Sequence, residues 1–291
     1  MNNGILFSFS RNAMLQRCMR EYFLHANYAY GEYETGAADR ERNHVHLLKQ
    51  LKNKSLFKSA IMQQSMRKIF VDGMMVSDLK SSVLHDFYLA KDCMLLGEYE
   101  NDHLQHPLLQ SFYYEEENFA DMFTDLQNDL TFWCTRLFEN DLFMHLFREE
   151  QHNFYPVTDD VPSVFVGELE IHFPMCGIIK SNNDYYCLNF SNNADFYSCQ
   201  AFLHLLYCQH KLHVSPERVR HVFINENEPL RLLNNDFEVD ISKEIEHLAE
   251  LAGAYFNLHN ELQYVTDPFS IPACGDKDLC SICRFREFCW G

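Results

Sequence analysis

The chain has 291 residues, 24 Lys and Arg against 42 Asp and Glu, and a formal net charge of −18 at neutral pH with histidine neutral. That balance excludes a protein gripping a polyanion over its whole surface, because such binding depends on clustered Lys and Arg displacing counterions; it leaves room for a local basic patch. The length supports one domain with a sizeable core, no apolar run approaches the roughly 20 residues of a membrane span, and 11 cysteines without a signal-peptide pattern after Met1 point to a reducing, cytoplasmic setting rather than a disulfide framework.

Ser8 and Ser10 stand ahead of an amphipathic helix that carries Arg17, Cys18, Arg20, Tyr22 and Phe23, and residues 31–39 form a turn-rich break. Helical spacing resumes over 40–70 through Leu47, Leu48, Leu51, Leu56, Ile61 and Ile69. This is the one basic region, where Arg40, Arg42, Lys49, Lys52, Lys54, Lys58, Arg67 and Lys68 face a single acid, Glu41. It is either a solvated helix face or an edge that contacts phosphates. Residues 74–155 contain little Gly or Pro and suit several helices, among them 119–130 and 132–147. With Glu98, Glu100, Asp102, Glu115, Glu116, Glu117, Asp121 and Asp125 they read as a helical insertion with an acidic exterior.

From Val164 onward the texture changes to strands, at 164–166, 169–173, 176–180 and 185–190, the last two joined by a tight polar turn at 181–184. A helix over 196–210 carries Gln200, Phe202, Leu203, Leu206 and Tyr207. A further hairpin is expected over 219–225 and 230–234, then a last long helix with Ser242 as its N-cap, running to about residue 260. The segment 274–291 closes the chain with Cys274, Cys280, Cys283 and Cys289 among Asp276, Lys277, Asp278, Arg284, Arg286 and Glu287. Buried thiols serving as small apolar groups would not sit among so many charges. The C-x2-C-x5-C run from Cys280 to Cys289 reads as three ligands of a metal centre, with the fourth either local, from Cys274, or distant.

Together the two chain ends resemble the RecB-like branch of the PD-(D/E)XK nucleases, in particular the AddB nuclease domain and the CRISPR-associated iron–sulfur exonucleases. The resemblance implies that Cys18, Cys280, Cys283 and Cys289 bind a [4Fe–4S] cluster joining the termini. It also implies an α/β fold in which a small mixed central sheet is flanked by helices, as a single domain over 1–291 with the insertion at 74–155. The family's chemistry uses an acid on one strand, an acid and a lysine one residue apart on the next, and a histidine from an earlier helix, the carboxylates holding Mg²⁺ or Mn²⁺. At the matching positions this chain has Cys176 or Gly177 for the first acid, Asn189 and Ser191 for the acid and lysine, and Gln63 for the histidine. Uncharged Asn and Ser cannot hold a hard dication.

The resemblance therefore implies a catalytically inactive nuclease-like iron–sulfur protein, without catalytic Mg²⁺ or Mn²⁺. It would act as a nucleic-acid-binding or scaffolding subunit in DNA processing or defence, beside a helicase or an active nuclease, with Arg17, Arg20, Lys49, Lys52 and Lys58 as the DNA-contacting set. One alternative is an active nuclease with a relocated site using Glu168, Glu170 or His46, although alternating acids on a strand also suit a solvated face. The other is a protein-interaction module with zinc in the cysteine site.

Overall fold

The computed structural model describes residues 6–28, 40–99, 106–148, 153–157, 162–166, 169–190, 197–225, 231–233 and 241–290. The expected break at 31–39 lies outside them. A short strand, β1 (Leu6–Phe7), leads to α1 (Phe9–Arg17), whose N-terminus is capped by Ser8 Oγ accepting the Arg11 N–H at 3.3 Å. The expected single helix stops at Cys18, which adopts an extended backbone (φ −156°, ψ 109°), and restarts as α2 (Met19–Phe23). Cys18 therefore ends one helix and caps the next, its Sγ accepting the Glu21 N–H at 3.5 Å. A π-helical turn, Leu24–Tyr28, follows at once.

The basic region divides into α3 (Arg40–Gln50), β2 (Leu51–Lys52) and α4 (Lys54–Val71), the last capped by Asn53 Oδ1, which accepts the Leu56 N–H at 2.8 Å. Next come α5 (Leu79–Leu95), β3 (Leu108–Leu109), which pairs in parallel with β2, and α6 (Gln110–Tyr113). The two helices expected over 119–130 and 132–147 are divided elsewhere, as α7 (Phe119–Phe138) and α8 (Asp141–Arg148). The buried stripe of α7 continues without a break through Leu130, Trp133, Cys134 and Leu137. The stop comes at Asn140, whose Oδ1 accepts the Phe143 N–H at 3.0 Å and opens the next helix.

The strands are β4 (Asn153–Pro156), β5 (Ser163–Val166), β6 (Leu169–His172), β7 (Gly177–Ser181) and β8 (Asp184–Phe190), then, after α9 (Tyr197–Leu212), β9 (Val219–Ile224) and β10 (Arg231–Leu233). Five of them form a mixed sheet in the order β10-β9-β8-β7-β4, and β1, β6 and β5 form a small one beside it. Ser181 and Asp184 pair directly, so the β7–β8 turn has two residues, and Asn182 takes the left-handed conformation (φ 52°) that such a turn demands. Pairing of β8 with β9 is parallel, with α9 making the crossover.

Alternation along β7 and β8 sorts their side chains between two cores. Ile179, Leu188 and Phe190 pack with α4, α5, α7 and α8, whereas Ile178 and Cys187 face α9, α1, α2 and a long helix, α10 (Ile241–Leu262). Because α10 begins at Ile241, Ser242 lies within its first turn and is not the cap. Two short helices, α11 (Lys277–Ser281) and α12 (Arg286–Trp290), finish the chain. Among the described residues no helix is long and apolar enough to cross a membrane.

Candidate metal centre and nucleic-acid interface

Tight local turns gather the C-terminal cysteines. Asp276 Oδ1 caps α11 by accepting the Asp278 and Leu279 N–H groups at 2.9 and 3.1 Å. The Cys283 N–H donates to the Cys280 carbonyl at 3.2 Å and the Arg286 N–H to the Cys283 carbonyl at 3.2 Å, which folds Cys280, Cys283 and Cys289 toward one side. Side chains elsewhere hold this segment in place. Arg20 Nε donates to the Ile271 carbonyl at 2.8 Å, Gln110 Nε2 to that of Ile282 at 3.0 Å, Tyr114 Oη to that of Arg284 at 2.7 Å, and Arg284 Nη1 to that of Lys49 at 3.0 Å. Phe285 is fully buried in the helical core, and Arg286 pairs with Glu116 while lying 3.8 Å over the Tyr114 ring.

The result is a cavity of about 460 Å³ lined by Cys18, Cys274, Cys280, Cys283 and Cys289, so cysteines from both ends of the chain share one space. One close sulfur contact among them is unexpected: Cys274 Sγ stands 3.6 Å from Cys280 Sγ. Burial, with Glu21 nearby, pushes the Cys283 thiol up to about 12, and desolvation with the Cys274 bond pushes Cys280 up to about 11. Cys289 is raised by burial, partly offset by Arg20, and all three thiols feel Cys18. All 11 cysteines are free thiols.

Among the described residues, no group of three His, Cys, Asp or Glu side chains is drawn tightly enough to hold a single ion. The five cysteines are therefore near one another without forming a metal-holding group among the described residues. Arg17, Arg20, Arg284 and Arg286 also line the cavity, together with Glu21, Glu116 and Glu117, and Arg17 and Arg286 are paired with Glu21 and Glu116.

The residues expected to contact DNA separate into two groups. Arg17 closes on the buried Glu21 through Nη2 to Oε2 at 2.6 Å and Nε to Oε2 at 3.0 Å. Arg20 is spent on the Ile271 carbonyl and lies 5.5 Å over the Phe269 ring, and Lys58 pairs with Asp129 at 2.8 Å. Lys49 and Lys52, by contrast, are partly buried beside Arg284, and burial lowers the pKa of both.

The positions matching the nuclease motif do not converge. Cys176 packs into the helical core with Phe70 and Phe190, where burial pushes its thiol up to about 12. A Cβ at Gly177 would stand 2.4 Å from Phe70 Cδ1, so that side of β7 admits no side chain there without displacing the ring. Asn189, fully buried, faces the other way, its Nδ2 donating to Gln200 Oε1 on α9 at 2.9 Å. Gln63 lines a separate cavity of about 330 Å³ with Arg11, His172 and Met175. Ser191 and Glu168 lie outside the described residues. Glu170 accepts from Ser163 Oγ at 2.8 Å and sits 3.3 Å from His172 Nε2, while His46 is buried on α3.

One cluster escaped the sequence reading. Beside Asn189, the buried His204 stacks 5.6 Å from His221 and 6.0 Å from Phe223, with its Nε2 3.5 Å from the Pro174 carbonyl. Gln200 and His204, four apart on an otherwise apolar helix face, were the available signal. Burial lowers the His204 pKa to about 4, and the effect on stability has a definite sign. Below about 6.5 the unfolded chain takes up a proton that the folded protein refuses until about 4, so stability falls as pH drops through that window, by about 3 kcal/mol in all. Urea denaturation at pH 7 and pH 4.5 is expected to show this loss, and His204→Phe should remove most of one proton's worth of the dependence.

No protein-family model, curated protein or solved structure matches this chain.

Proposed function

We propose that this chain is a catalytically inactive, nuclease-like iron–sulfur protein that serves as a nucleic-acid-binding or scaffolding subunit in DNA processing or defence. The observation that carries the reading is the shared cavity of Cys18 with Cys280, Cys283 and Cys289, which matches the division of ligands between the chain ends in the RecB-like branch. The helix–strands–helix–strand order, with β8 and β9 parallel across α9, supports a PD-(D/E)XK-like core. Four cysteines would hold a [4Fe–4S] cluster, which supplies a fixed cross-link between distant parts of the chain rather than a hydrolytic group. The protein's own residues position that cross-link through the Arg20, Gln110, Tyr114 and Arg284 hydrogen bonds.

Inactivity follows from charge. Cys176 is buried in the helical core, Asn189 is bonded to Gln200, and neither bears a carboxylate, so no dication is held where a phosphodiester would be attacked. Anaerobically purified protein is expected to contain iron and acid-labile sulfide, and to leave single- and double-stranded DNA intact with Mg²⁺ or Mn²⁺. Zinc without sulfide would replace the reading with the interaction module. Metal-dependent cleavage abolished by Glu170→Ala would replace it with the relocated-site nuclease.

A further inference from the structure

Two cysteine pairs bring their sulfurs together, Cys187 with Cys208 at 3.3 Å and Cys274 with Cys280 at 3.6 Å. They differ in access. Cys187 on β8 and Cys208 on α9 are both fully buried in the core between sheet and helix. Cys274 and Cys280 are half-buried in the wall of the cysteine cavity, and residues 275–279 between them are exposed. A reagent in solution reaches this second pair in the folded protein and the first only when the core opens.

The local backbone is shaped for the exposed contact. Gly275 takes a left-handed conformation (φ 76°) that reverses the chain directly after Cys274, a turn that glycine makes without strain. Asp276 then caps α11. Its carbonyl accepts the Cys280 N–H at 2.9 Å, and Cys274 Sγ donates to that same carbonyl at 3.9 Å, so one backbone group gathers both cysteines. A disulfide places its sulfurs about 2 Å apart, so the pair has to close by about 1.6 Å, which rotation of two half-buried side chains supplies.

We infer that Cys274 and Cys280 form a redox modification site, a dithiol oxidised reversibly to a disulfide by a low-molecular-weight disulfide. The exchange has two steps. The Cys274 thiolate attacks one sulfur of the reagent, breaking its S–S bond, forming a mixed disulfide and releasing one reagent thiol. The Cys280 thiolate then attacks the Cys274 sulfur, forming the protein disulfide and releasing the second reagent thiol. The protein dithiol loses two electrons and two protons, and the reagent gains both as it becomes two thiols. The site stands on the sulfur contact and the open cavity. Its consequence rests on the functional reading above: a Cys280 sulfur held in a disulfide is no longer a metal ligand, so oxidation and the metal centre exclude each other. Cys274, which is not among the four ligands of that reading, thereby gains a role. In a reducing compartment such a disulfide is transient and redox-sensing rather than structural.

The test uses the intact protein, purified anaerobically and then exposed to oxidised glutathione. Remaining thiols are alkylated, peptides are mapped by mass spectrometry without reduction, and iron and sulfide are measured on the same samples. The expected product is a Cys274–Cys280 disulfide that dithiothreitol removes, with iron lost in step with its formation and with Cys187 and Cys208 still free thiols. Cys274→Ser should keep its iron under the same treatment, and its melting curve shows that it folds. Absence of a Cys274–Cys280 disulfide in the parent protein, or oxidation of Cys187 and Cys208 ahead of it, overturns the site; iron and sulfide in that same protein leave the functional reading standing. A Cys274–Cys280 disulfide in protein that carries no iron as purified upholds the site and removes the iron–sulfur reading. The disulfide formed with iron fully retained upholds the site and overturns the exclusion, because Cys280 is then not a ligand.

Discussion

Cys18→Ser, Cys280→Ser, Cys283→Ser and Cys289→Ser are each expected to yield protein without iron or sulfide, whereas Cys274→Ser keeps both. The first four residues meet in one cavity although Cys18 and Cys289 stand near opposite ends of the chain. A centre that needs all its thiolates does not survive as a partial site, so the loss should be complete rather than graded. Stability should fall with it. Closing almost the whole chain into a loop stabilises the folded state by up to about 5 kcal/mol in the loop-closure account, and the hydrogen bonds from Arg20, Gln110 and Tyr114 limit how far the C-terminal segment then departs. Cys274 is the informative control because its sulfur lies 3.6 Å from that of Cys280. Iron lost from Cys274→Ser but retained by Cys18→Ser would make the centre local to the last turns of the chain. Metal and sulfide content and a urea melt on the same five variants decide it.

The parts of the fold governed by local pattern were legible in the sequence. Strands β5 to β9 follow β-branched and aromatic runs, the two-residue turn follows Asn182-Asn183, and the helix after β8 follows its apolar spacing. What local pattern could not express was the break at Cys18, where Met14 and Glu21 are both helical neighbours and only the extended backbone of one residue separates α1 from α2. The division of 119–148 was missed for a related reason. Thr131 and Phe132 look like an interruption, yet the buried stripe passes them on the inner face while Phe132 stays 62% exposed. At the candidate sites, the cysteine spacing carried its own meaning, but the fate of each cation depended on partners far away in sequence. Lys58 meets Asp129, Arg20 meets Ile271, and Arg284 meets Lys49, pairings set by tertiary packing alone. The same applies to Cys176 and Asn189. Their identities suggested one degenerate site, but Cys176, which precedes β7, packs into the helical core, whereas Asn189 is spent on Gln200 of α9.

Asn189→Asp, which places an acid where the proposed nuclease-like core would carry one, is expected to confer no activity and to destabilise the protein in a way that depends on pH. The position is fully buried, with one hydrogen bond to Gln200 and an unpartnered Oδ1, so the introduced carboxyl has little to stabilise its charge. A fully buried acid is raised by about 3 to 5 units from an ordinary value near 3.9. Below that value the group is neutral in both states and the substitution costs little. Above it the unfolded chain ionises while the folded protein does not, so stability is lost as pH rises, reaching about 4 kcal/mol at neutral pH. This slope is opposite in sign to that of His204 over the same window, so the variant's stability should be nearly level between pH 4 and 6.5 where the parent's climbs. Cleavage of DNA with Mg²⁺ should remain at background, because Cys176 and Gly177 look into the other core and Phe70 occupies the space a second acid would need. An Asn189→Asp protein as stable as its parent at pH 7 would mean that the carboxylate is charged and compensated by a neighbouring group that takes up a proton. The face of the sheet toward α9 would then be able to support a charged site after all.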